Sequence, residues 1–294
     1  MGKKQQVFFG SGCALVTPFR NGEIDYEVLE ELIDFQIRNG TDAIILLGTT
    51  GEASTINESE REKIIPFAKE KIKGRVPLVV GTGTNSTEVS VRYTKMAQDL
   101  GANACLAVTP YYNKATEGGL IEHYKKVAGS VDIPIILYNV PSRTGVSLSS
   151  RVYKELAPIE NIVAVKEASG SVAYMQRLIC DFGADFDVYS GNDELTLTNL
   201  ALGGKGVISV CANLTPSLMH QLCYEFANDN PNKARELEYK LLPLIDELFK
   251  EVNPIPVKTA LYLMGMVKNE FRLPLCKSTR LNELENVLSQ LNLV

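Results

Sequence analysis

Short apolar runs rich in β-branched residues recur eight times along the chain, and most of them end in a polar residue or a glycine. They occupy residues 13–17, 43–48, 78–82, 105–109, 135–139, 162–166, 186–190 and 207–210. Because the runs are almost continuously apolar and do not alternate, they predict parallel strands that are covered on both faces.

The segments between the runs have the spacing of amphipathic helices. Residues 28–36 place their apolar side chains on one helical face, with Asp25 as N-cap and Gly40 as the stop. Asn57 followed by Glu60 resembles a capping box at the start of the next helix. Eight strand–helix units of roughly 20 to 34 residues each predict an α/β fold, the (β/α)8 TIM barrel.

Helical patterns continue after the last strand. They are predicted over residues 216–227, 233–251, 256–266 and 281–291. The first completes the barrel and the others form a C-terminal helical extension. We expect a barrel domain over residues 1–225 that carries the active site, and a helical region over 226–294 packed on it, because no Gly/Ser-rich linker separates them. A doubly wound sheet is the rival fold, but no GxGxxG follows the first strand.

Composition narrows the class of protein further. The length of 294 residues suggests two domains, although α/β barrels reach about 250 residues as one unit. A hydrophobic fraction of 45% and a charged fraction of 22% are typical of a globular protein with a large core. The formal net charge is −5, without a basic block. We therefore expect no nucleic acid and no membrane as a partner.

Cysteine and histidine are placed in a way that disfavours a metal site. The six cysteines contain no CxxC pair, and His123 and His220 form no HExxH motif. We expect no metal and reduced cytosolic thiols. The apolar run at residues 7–9 is too short for a signal peptide, and no stretch reaches about 18 apolar residues. These patterns predict a cytoplasmic protein.

Polar residues follow the strands at the end of a barrel where TIM-barrel active sites lie. They are Thr17, Thr49, Thr50, Thr82, Thr109, Tyr138, Asn139, Lys166, Glu167, Ser190, Gly191 and Ser209. Lys166 stands out, because two-residue periodicity places it on one face with Ile162 and Ala164, towards the barrel mouth. Desolvation there favours a free amine that can attack a carbonyl. Alternatively, the lysine snorkels outwards or pairs with Glu167.

Three further features have two interpretations each. Tyr138 is either a proton shuttle or an aromatic residue that packs at the barrel rim. Arg143 either captures a carboxylate through two hydrogen bonds or is a solvated loop residue. The GTTGE loop at 48–52 either cradles an anion or forms only a tight turn.

Six segments together resemble the dihydrodipicolinate synthase (4-hydroxy-tetrahydrodipicolinate synthase) family, within the pyruvate-dependent Schiff-base aldolases. They are 48–52 (GTTGE), 109–113 (TPYYN), 138–145 (YNVPSRTG), 165–170 (VKEASG), 206–210 (GVISV) and 253–258 (NPIPVK). The resemblance implies a lyase that condenses pyruvate with L-aspartate 4-semialdehyde, the first committed step of diaminopimelate and lysine biosynthesis. It also implies a homotetramer built as a dimer of tight dimers.

The resemblance assigns the catalytic roles. It implies that Lys166 forms the Schiff base with the keto carbon of pyruvate, so that a covalent lysine–pyruvate imine replaces any cofactor. Tyr138 would donate and accept protons through a relay with Thr49 and Tyr112. In the family this last tyrosine comes from the partner across the tight dimer interface.

The same resemblance implies the substrate-binding residues. Thr50 and the backbone around Ile208 would hold the pyruvate carboxylate, and Gly191 would border the substrate. Arg143 would bind the carboxylate of the aspartate semialdehyde. One departure from the family lies beside this group, because Asn192 stands where many members carry aspartate.

A second departure concerns feedback inhibition. Family members inhibited by L-lysine carry histidine and glutamate contacts at the dimer interface, where this chain has Glu58, Arg61 and Val89. Asn85 and Tyr111 are kept. We expect weak or absent feedback by L-lysine.

Two alternative functions remain open from sequence. A sister aldolase acting on N-acetylneuraminate or a 2-keto-3-deoxy sugar acid would use the same lysine chemistry, but Arg143 favours a carboxylate over a polyol. A non-catalytic barrel that senses pyruvate or an amino acid is the rival from another class. The joint presence of Lys166, Tyr138, Thr49 and Tyr112 counts against it.

Overall fold

The computed structural model describes residues 4–294 of the chain, and in this part eight parallel strands close into a barrel. The barrel strands are β1 (Gly10–Ala14), β4 (Ala43–Leu46), β5 (Leu78–Gly81), β6 (Ala104–Val108), β7 (Ile135–Asn139), β8 (Ile162–Glu167), β9 (Asp187–Ser190) and β10 (Gly206–Ser209). A small antiparallel pair, β2 (Phe19–Arg20) and β3 (Glu23–Ile24), lies outside the barrel. The first strand pairs with both β4 and β10, which closes the barrel and confirms the predicted fold.

Helices follow the strands in the order that the sequence predicts. They are α1 (Tyr26–Arg38), α2 (Glu58–Ile72), α3 (Thr87–Asp99), α4 (Glu117–Ala128), α5 (Pro141–Thr144), α6 (Ser150–Leu156), α7 (Val172–Phe182), α8 (Thr196–Ala201), α9 (Pro216–Ala227), α10 (Pro231–Leu248), α11 (Ile255–Leu263) and α12 (Leu281–Gln290). In residues 4–294, no helix combines the length and apolar character needed to cross a membrane.

The first strand lies three residues before its predicted position. The predicted strand covers residues 13–17, whereas the observed β1 begins at Gly10 and ends at Ala14. Gly10 pairs with Gly206 of β10. A Cβ on Gly206 would lie 1.8 Å from the carbonyl oxygen of Gly10, so the two backbones approach more closely than any side chain allows. Glycine is weak evidence for a strand in a sequence, which is why the prediction began at Cys13.

The barrel interior contains a small cluster of side chains, separate from the larger core between the strands and the helices. Ala164 belongs to the inner cluster, but Ile162 belongs to the outer core. The register between β7 and β8 shifts at this point, and Val163 is the additional residue. The predicted common face of Lys166 and Ile162 is therefore wrong, because a β-bulge interrupts the two-residue period. Lys166 and Ala164 still share the inner face.

The C-terminal helices pack on the barrel and on one another. Helix α9 contacts β1, α10 contacts α9, and α12 contacts both α10 and α11. Helix α10 begins two residues earlier and ends three residues earlier than predicted. Helix α11 contacts the turn Cys211–Asn213 that follows β10. It therefore lies at the end of the barrel where the C-termini of the strands are.

Candidate active site

A cavity of about 150 Å³ lies at the C-terminal ends of the barrel strands. Of the eight predicted site residues, six line it: Lys166, Tyr138, Thr49, Thr50, Arg143 and Gly191. Ala14 and Ile45 of the inner cluster lie among the lining residues as well. The barrel geometry thus brings together residues that are separated by more than 140 positions in the chain.

Lys166 and Tyr138 lie side by side on neighbouring strands. They are partners in the register of β7 and β8, and Lys166 Nζ lies 4.5 Å from the centroid of the tyrosine ring. Lys166 is only 5% exposed, so its side chain does not snorkel out of the barrel. A cation over an aromatic face is favourable and fixes the direction of the long side chain. The amine and the phenol therefore face the same small cavity.

Glu167 follows the lysine but points to the other side of the strand. Its Oε2 accepts a hydrogen bond from Asn139 Nδ2 at 2.7 Å, and its Oε1 accepts one from the Ser169 amide at 2.6 Å. Burial raises the pKa of this carboxyl, although both hydrogen bonds oppose the rise. The alternative in which Glu167 pairs with Lys166 is therefore wrong.

The loop after β4 presents its two threonines to the cavity. The Gly51 amide donates to the carbonyl of Gly48 at 3.1 Å, and the Glu52 amide donates to that of Thr49 at the same distance. The loop is thus a tight turn with Thr49 half-buried and Thr50 buried. Its hydroxyl groups are available beside Lys166 for a polar ligand.

Arg143 and Asn253 form the mouth of the cavity. Arg143 lies on the short helix α5, and its Nη2 donates to the Asn253 carbonyl oxygen at 3.2 Å. Asn253 Nδ2 donates to Thr50 Oγ1 at 3.1 Å, and its Oδ1 is buried without a partner. In the sequence, the sign of a role for Asn253 is its place in the segment 253–258 that resembles the family, and no role was predicted for it.

Asp193 is hydrogen-bonded to the backbone that directly follows β10, next to the cavity-lining Val210. It is buried, and its Oδ2 accepts hydrogen bonds from the amides of Val210 at 3.0 Å and Cys211 at 3.1 Å. Burial raises the pKa of this carboxyl. Its neighbour Asn192 lines the cavity and donates to Glu194 at 3.0 Å. The substitution noted at position 192 thus falls on the cavity wall.

Two of the predicted residues do not line this cavity. Tyr112 is 89% exposed and has a left-handed backbone with φ of 77°. Ile208 is fully buried in the inner cluster, and Val210 lines the cavity in its place. The structure thus places Tyr112 at the surface and the side chain of Ile208 inside the barrel, and it brings neither side chain into the cavity.

A second cavity of about 540 Å³ adjoins the first and shares Thr49, Tyr138 and Arg143 with it. Arg61 lies in its wall, where its guanidinium donates to the carbonyl oxygens of Gly81 and Ala53. Burial lowers the pKa of Arg61, but an arginine remains charged at neutral pH. This part of the wall is therefore positively charged.

Comparisons with known proteins agree with this geometry. A model described as the dihydrodipicolinate synthetase family matches residues 7–291. A relative from Alkaliphilus oremlandii named 4-hydroxy-tetrahydrodipicolinate synthase is 46% identical, over 94% of this chain and 95% of its own. One of the same name from Acetivibrio thermocellus is 48% identical, over 95% of each. The crystal structure of dihydrodipicolinate synthase from Thermotoga maritima has a TM-score of 0.96 at 46% identity, over 98% of this chain and 100% of its own.

Proposed function

The chain belongs to the dihydrodipicolinate synthetase family, and we propose that it catalyses the reaction named for its relatives, the 4-hydroxy-tetrahydrodipicolinate synthase reaction. It is a lyase that condenses pyruvate with L-aspartate 4-semialdehyde and uses a lysine imine with no external cofactor. The observation that carries this function is the buried pair of Lys166 and Tyr138, with Arg143 at the mouth of the same cavity.

Lys166 starts the reaction as a nucleophile. Its amine attacks the keto carbon of pyruvate, and loss of water gives a protonated imine. The imine withdraws electrons, so the pyruvate methyl group loses a proton and an enamine forms. Tyr138, whose ring centroid lies 4.5 Å from this amine, moves these protons, with Thr49 as the next group in the relay.

The second substrate enters at the mouth of the cavity. The guanidinium of Arg143 binds its carboxylate. Thr50 and the backbone around Ile208 hold the pyruvate carboxylate, and Gly191 borders the substrate. The enamine carbon attacks the aldehyde and forms the new carbon–carbon bond. The amino group of the substrate then attacks the imine carbon, which closes the ring and releases Lys166 as the free amine.

Trapping with borohydride tests this assignment. In the presence of pyruvate, borohydride reduces the imine, and peptide mass mapping is expected to place the label on Lys166. The Lys166→Ala variant, which is expected to fold, serves as the control and is expected to take up no label. Label on another lysine, or turnover of N-acetylneuraminate without turnover of pyruvate plus aspartate semialdehyde, would contradict the proposal.

The relay is completed by a second subunit. Tyr112 is exposed and does not line its own cavity, which supports a tight dimer in which each tyrosine enters the partner's site. Two such dimers form the proposed homotetramer. Mixing inactive Lys166→Ala subunits with inactive Tyr112→Ala subunits is expected to restore about a quarter of the sites, because only mixed dimers hold one intact site. No recovery after subunit exchange would contradict the shared site.

The second cavity supports the proposal that feedback by L-lysine is weak or absent. Arg61 places a buried positive charge in its wall, where Val89 supplies no carboxylate. A second cation is unfavourable there, because like charges repel strongly at low dielectric. A steady-state assay at millimolar L-lysine is expected to show nearly unchanged turnover, and strong inhibition would refute the expectation.

The organisation of the chain completes the proposal. The proposed division is a catalytic barrel domain over residues 1–225 and a helical region over 226–294, and within the described residues the contacts of α10 with α9 and α12 support the packing of the two. The protein acts in the cytoplasm. Its six free cysteines, four of them buried, support a reducing compartment.

A further inference from the structure

The active-site loop of residues 47–52 ends on a side chain that points away from the cavity. Glu52 Oε1 lies 2.5 Å from Lys258 Nζ, and both side chains are fully buried. Lys258 belongs to α11, 206 residues further along the chain. Neither residue lines the cavity, so the ion pair joins the loop to the C-terminal region without touching the substrate.

Neighbouring groups hold both members of the ion pair in place. Lys258 Nζ lies 4.1 Å from the ring centroid of Phe19 and 5.1 Å from that of Phe271. Glu52 Oε2 accepts a hydrogen bond from the Arg272 amide at 3.3 Å. Burial lowers the pKa of Lys258 to about 8, against the opposing effect of the glutamate, so the amine stays protonated at pH 7. In such an apolar setting the attraction between the charges is strong and fixes their geometry.

The backbone of loop 47–52 is in an unfavourable conformation at both ends, so contacts with other segments are needed to keep it in place. Leu47 has φ of 56° and Glu52 has φ of 54°, which is the left-handed region that residues other than glycine rarely adopt. Thr49 and Thr50 lie between these two positions and face the cavity. The segment before α11 supplies a second contact, the hydrogen bond from Asn253 to Thr50.

From this arrangement, which rests on the proposed function, we infer that Lys258 and Glu52 are positioning residues for pyruvate. Their ion pair locks α11 against the loop and thereby fixes the hydroxyls of Thr49 and Thr50 beside Lys166. A buried ion pair adds little net stability compared with apolar residues of similar size, but it holds two elements in one relative position. The affinity for pyruvate therefore depends on a contact outside the cavity.

The test uses Lys258→Met, Glu52→Gln and the double variant that removes both charges. Arg280→Met is the matched control, because it breaks the ion pair between Arg280 Nε and Glu247 Oε1, 2.6 Å apart, in the same C-terminal region without touching the loop. The pyruvate concentration that half-saturates borohydride labelling of Lys166 is measured for each variant, together with the KM for both substrates and the melting temperature.

Each ion-pair variant is expected to raise the half-saturating pyruvate concentration about tenfold, since displacing a positioning group by a fraction of an ångström costs one to two orders of magnitude. The KM for aspartate semialdehyde is expected to change less than about threefold, because Arg143 is held through Asn253. The double variant is expected to melt at a higher temperature than Lys258→Met, because it leaves no unpaired Glu52 carboxylate buried. Its KM for pyruvate is expected to stay raised.

The inference is overturned if the double variant binds pyruvate like the wild type. It is equally overturned if Arg280→Met, at a comparable loss of melting temperature, shows the same increase in the KM for pyruvate. If Lys258→Met does not fold, the double variant and Glu52→Gln decide the outcome by the same readings. Failure of the proposed function looks different, because the wild type itself would then acquire no label on Lys166.

Discussion

Two buried lysines in this chain have opposite surroundings. Lys258 is fully buried in an ion pair with Glu52, whereas Lys166 lies against the ring of Tyr138 and borders a cavity. A lysine held by a carboxylate keeps its proton and serves to position its neighbours. Lys166 instead faces a phenol and a cavity that can admit a carbonyl ligand, which is the placement that the proposed nucleophile requires. The environment of each amine, more than its burial, separates the two roles.

A methyl group at Gly191 tests how tightly the cavity positions Lys166. A Cβ there would lie 2.6 Å from Ala168 Cβ, which must shift, and 3.0 Å from Lys166 Cε, which must give by a few tenths of an ångström. Gly191→Ala is expected to lower kcat/KM about 10- to 100-fold, while the free energy of unfolding falls by about 1–3 kcal/mol. Steady-state kinetics and urea unfolding measure the two effects. Gly118→Ala, which meets nothing within 4 Å, is the control and is expected to keep full activity.

At the scale of elements, helix starts are where local sequence and structure agree best. Asp25 accepts from the Val28 amide and caps α1, as its place before the apolar spacing predicts. Asn57 and Glu60 form both hydrogen bonds of the predicted capping box at α2. Caps are formed within four residues of one another, so the tertiary structure need not exist for the sequence to specify them.

The capping box at α2 gives a stability prediction. Asn57→Ala removes the side-chain acceptor for the Glu60 amide, which lies 3.0 Å away, and is expected to lower the free energy of unfolding by about 1 kcal/mol. Asn57→Ser keeps a capping oxygen and is expected to stay within about 0.5 kcal/mol of the wild type. Urea unfolding measures both variants. A loss as large in the serine variant would contradict the capping explanation.

The contact between α3 and α4 gives a pH prediction. His123 is buried, with Nδ1 2.9 Å from Thr87 Oγ1, and burial lowers its pKa to about 4. Between that value and the ordinary pKa near 6.5 the unfolded chain binds more protons than the folded chain, so stability falls as the pH falls. This contribution is fully present above about pH 6.5 and amounts to about 2 kcal/mol lost at pH 5.

The variant His123→Gln isolates the effect of this histidine. Relative to the wild type at the same pH, the variant is expected to be about 2 kcal/mol more stable at pH 5 than it is at pH 7.5, because glutamine does not titrate and the variant lacks the loss caused by the histidine. Urea unfolding at the two pH values measures the difference, and carboxyl groups contribute equally to both chains. A difference that does not change with pH would show that His123 binds its proton equally well in the folded and the unfolded chain.

On the scale of the whole molecule, the C-terminal region closes the site from outside the barrel. Asn253 reaches Thr50, Lys258 reaches Glu52, and the Arg272 guanidinium reaches Glu60 at the start of α2. Each of the three contacts joins residues more than 200 positions apart in the chain. All three start from the segment 253–272 and end on the segment 50–60. The extension is therefore part of the architecture of the site as well as a covering layer.

Thiol labelling tests the packing of the entire chain. All six cysteines lie in the described residues; Cys180 and Cys276 are exposed and Cys13, Cys105, Cys211 and Cys223 are buried. Burial raises the pKa of Cys105 to about 12, which further disfavours its reactive thiolate. A thiol reagent is expected to label two cysteines quickly in the native protein and all six in denaturant. Cys180→Ser is expected to leave one fast thiol, and rapid labelling of four or more would contradict the packing.

The sequence by itself determined the barrel, its helices and most of the residues that line the cavity. The elements follow from local periodicity and capping, and the position of the cavity follows because active sites of such barrels lie at the C-terminal ends of the strands. From the sequence alone, Lys166, Tyr138 and Arg143 are among the candidate site residues. Only the tertiary structure decided the bulge at Val163 and the ion pair of Glu52 with Lys258. Both depend on how distant segments meet, and no local pattern records the distance between residues that are far apart in the chain.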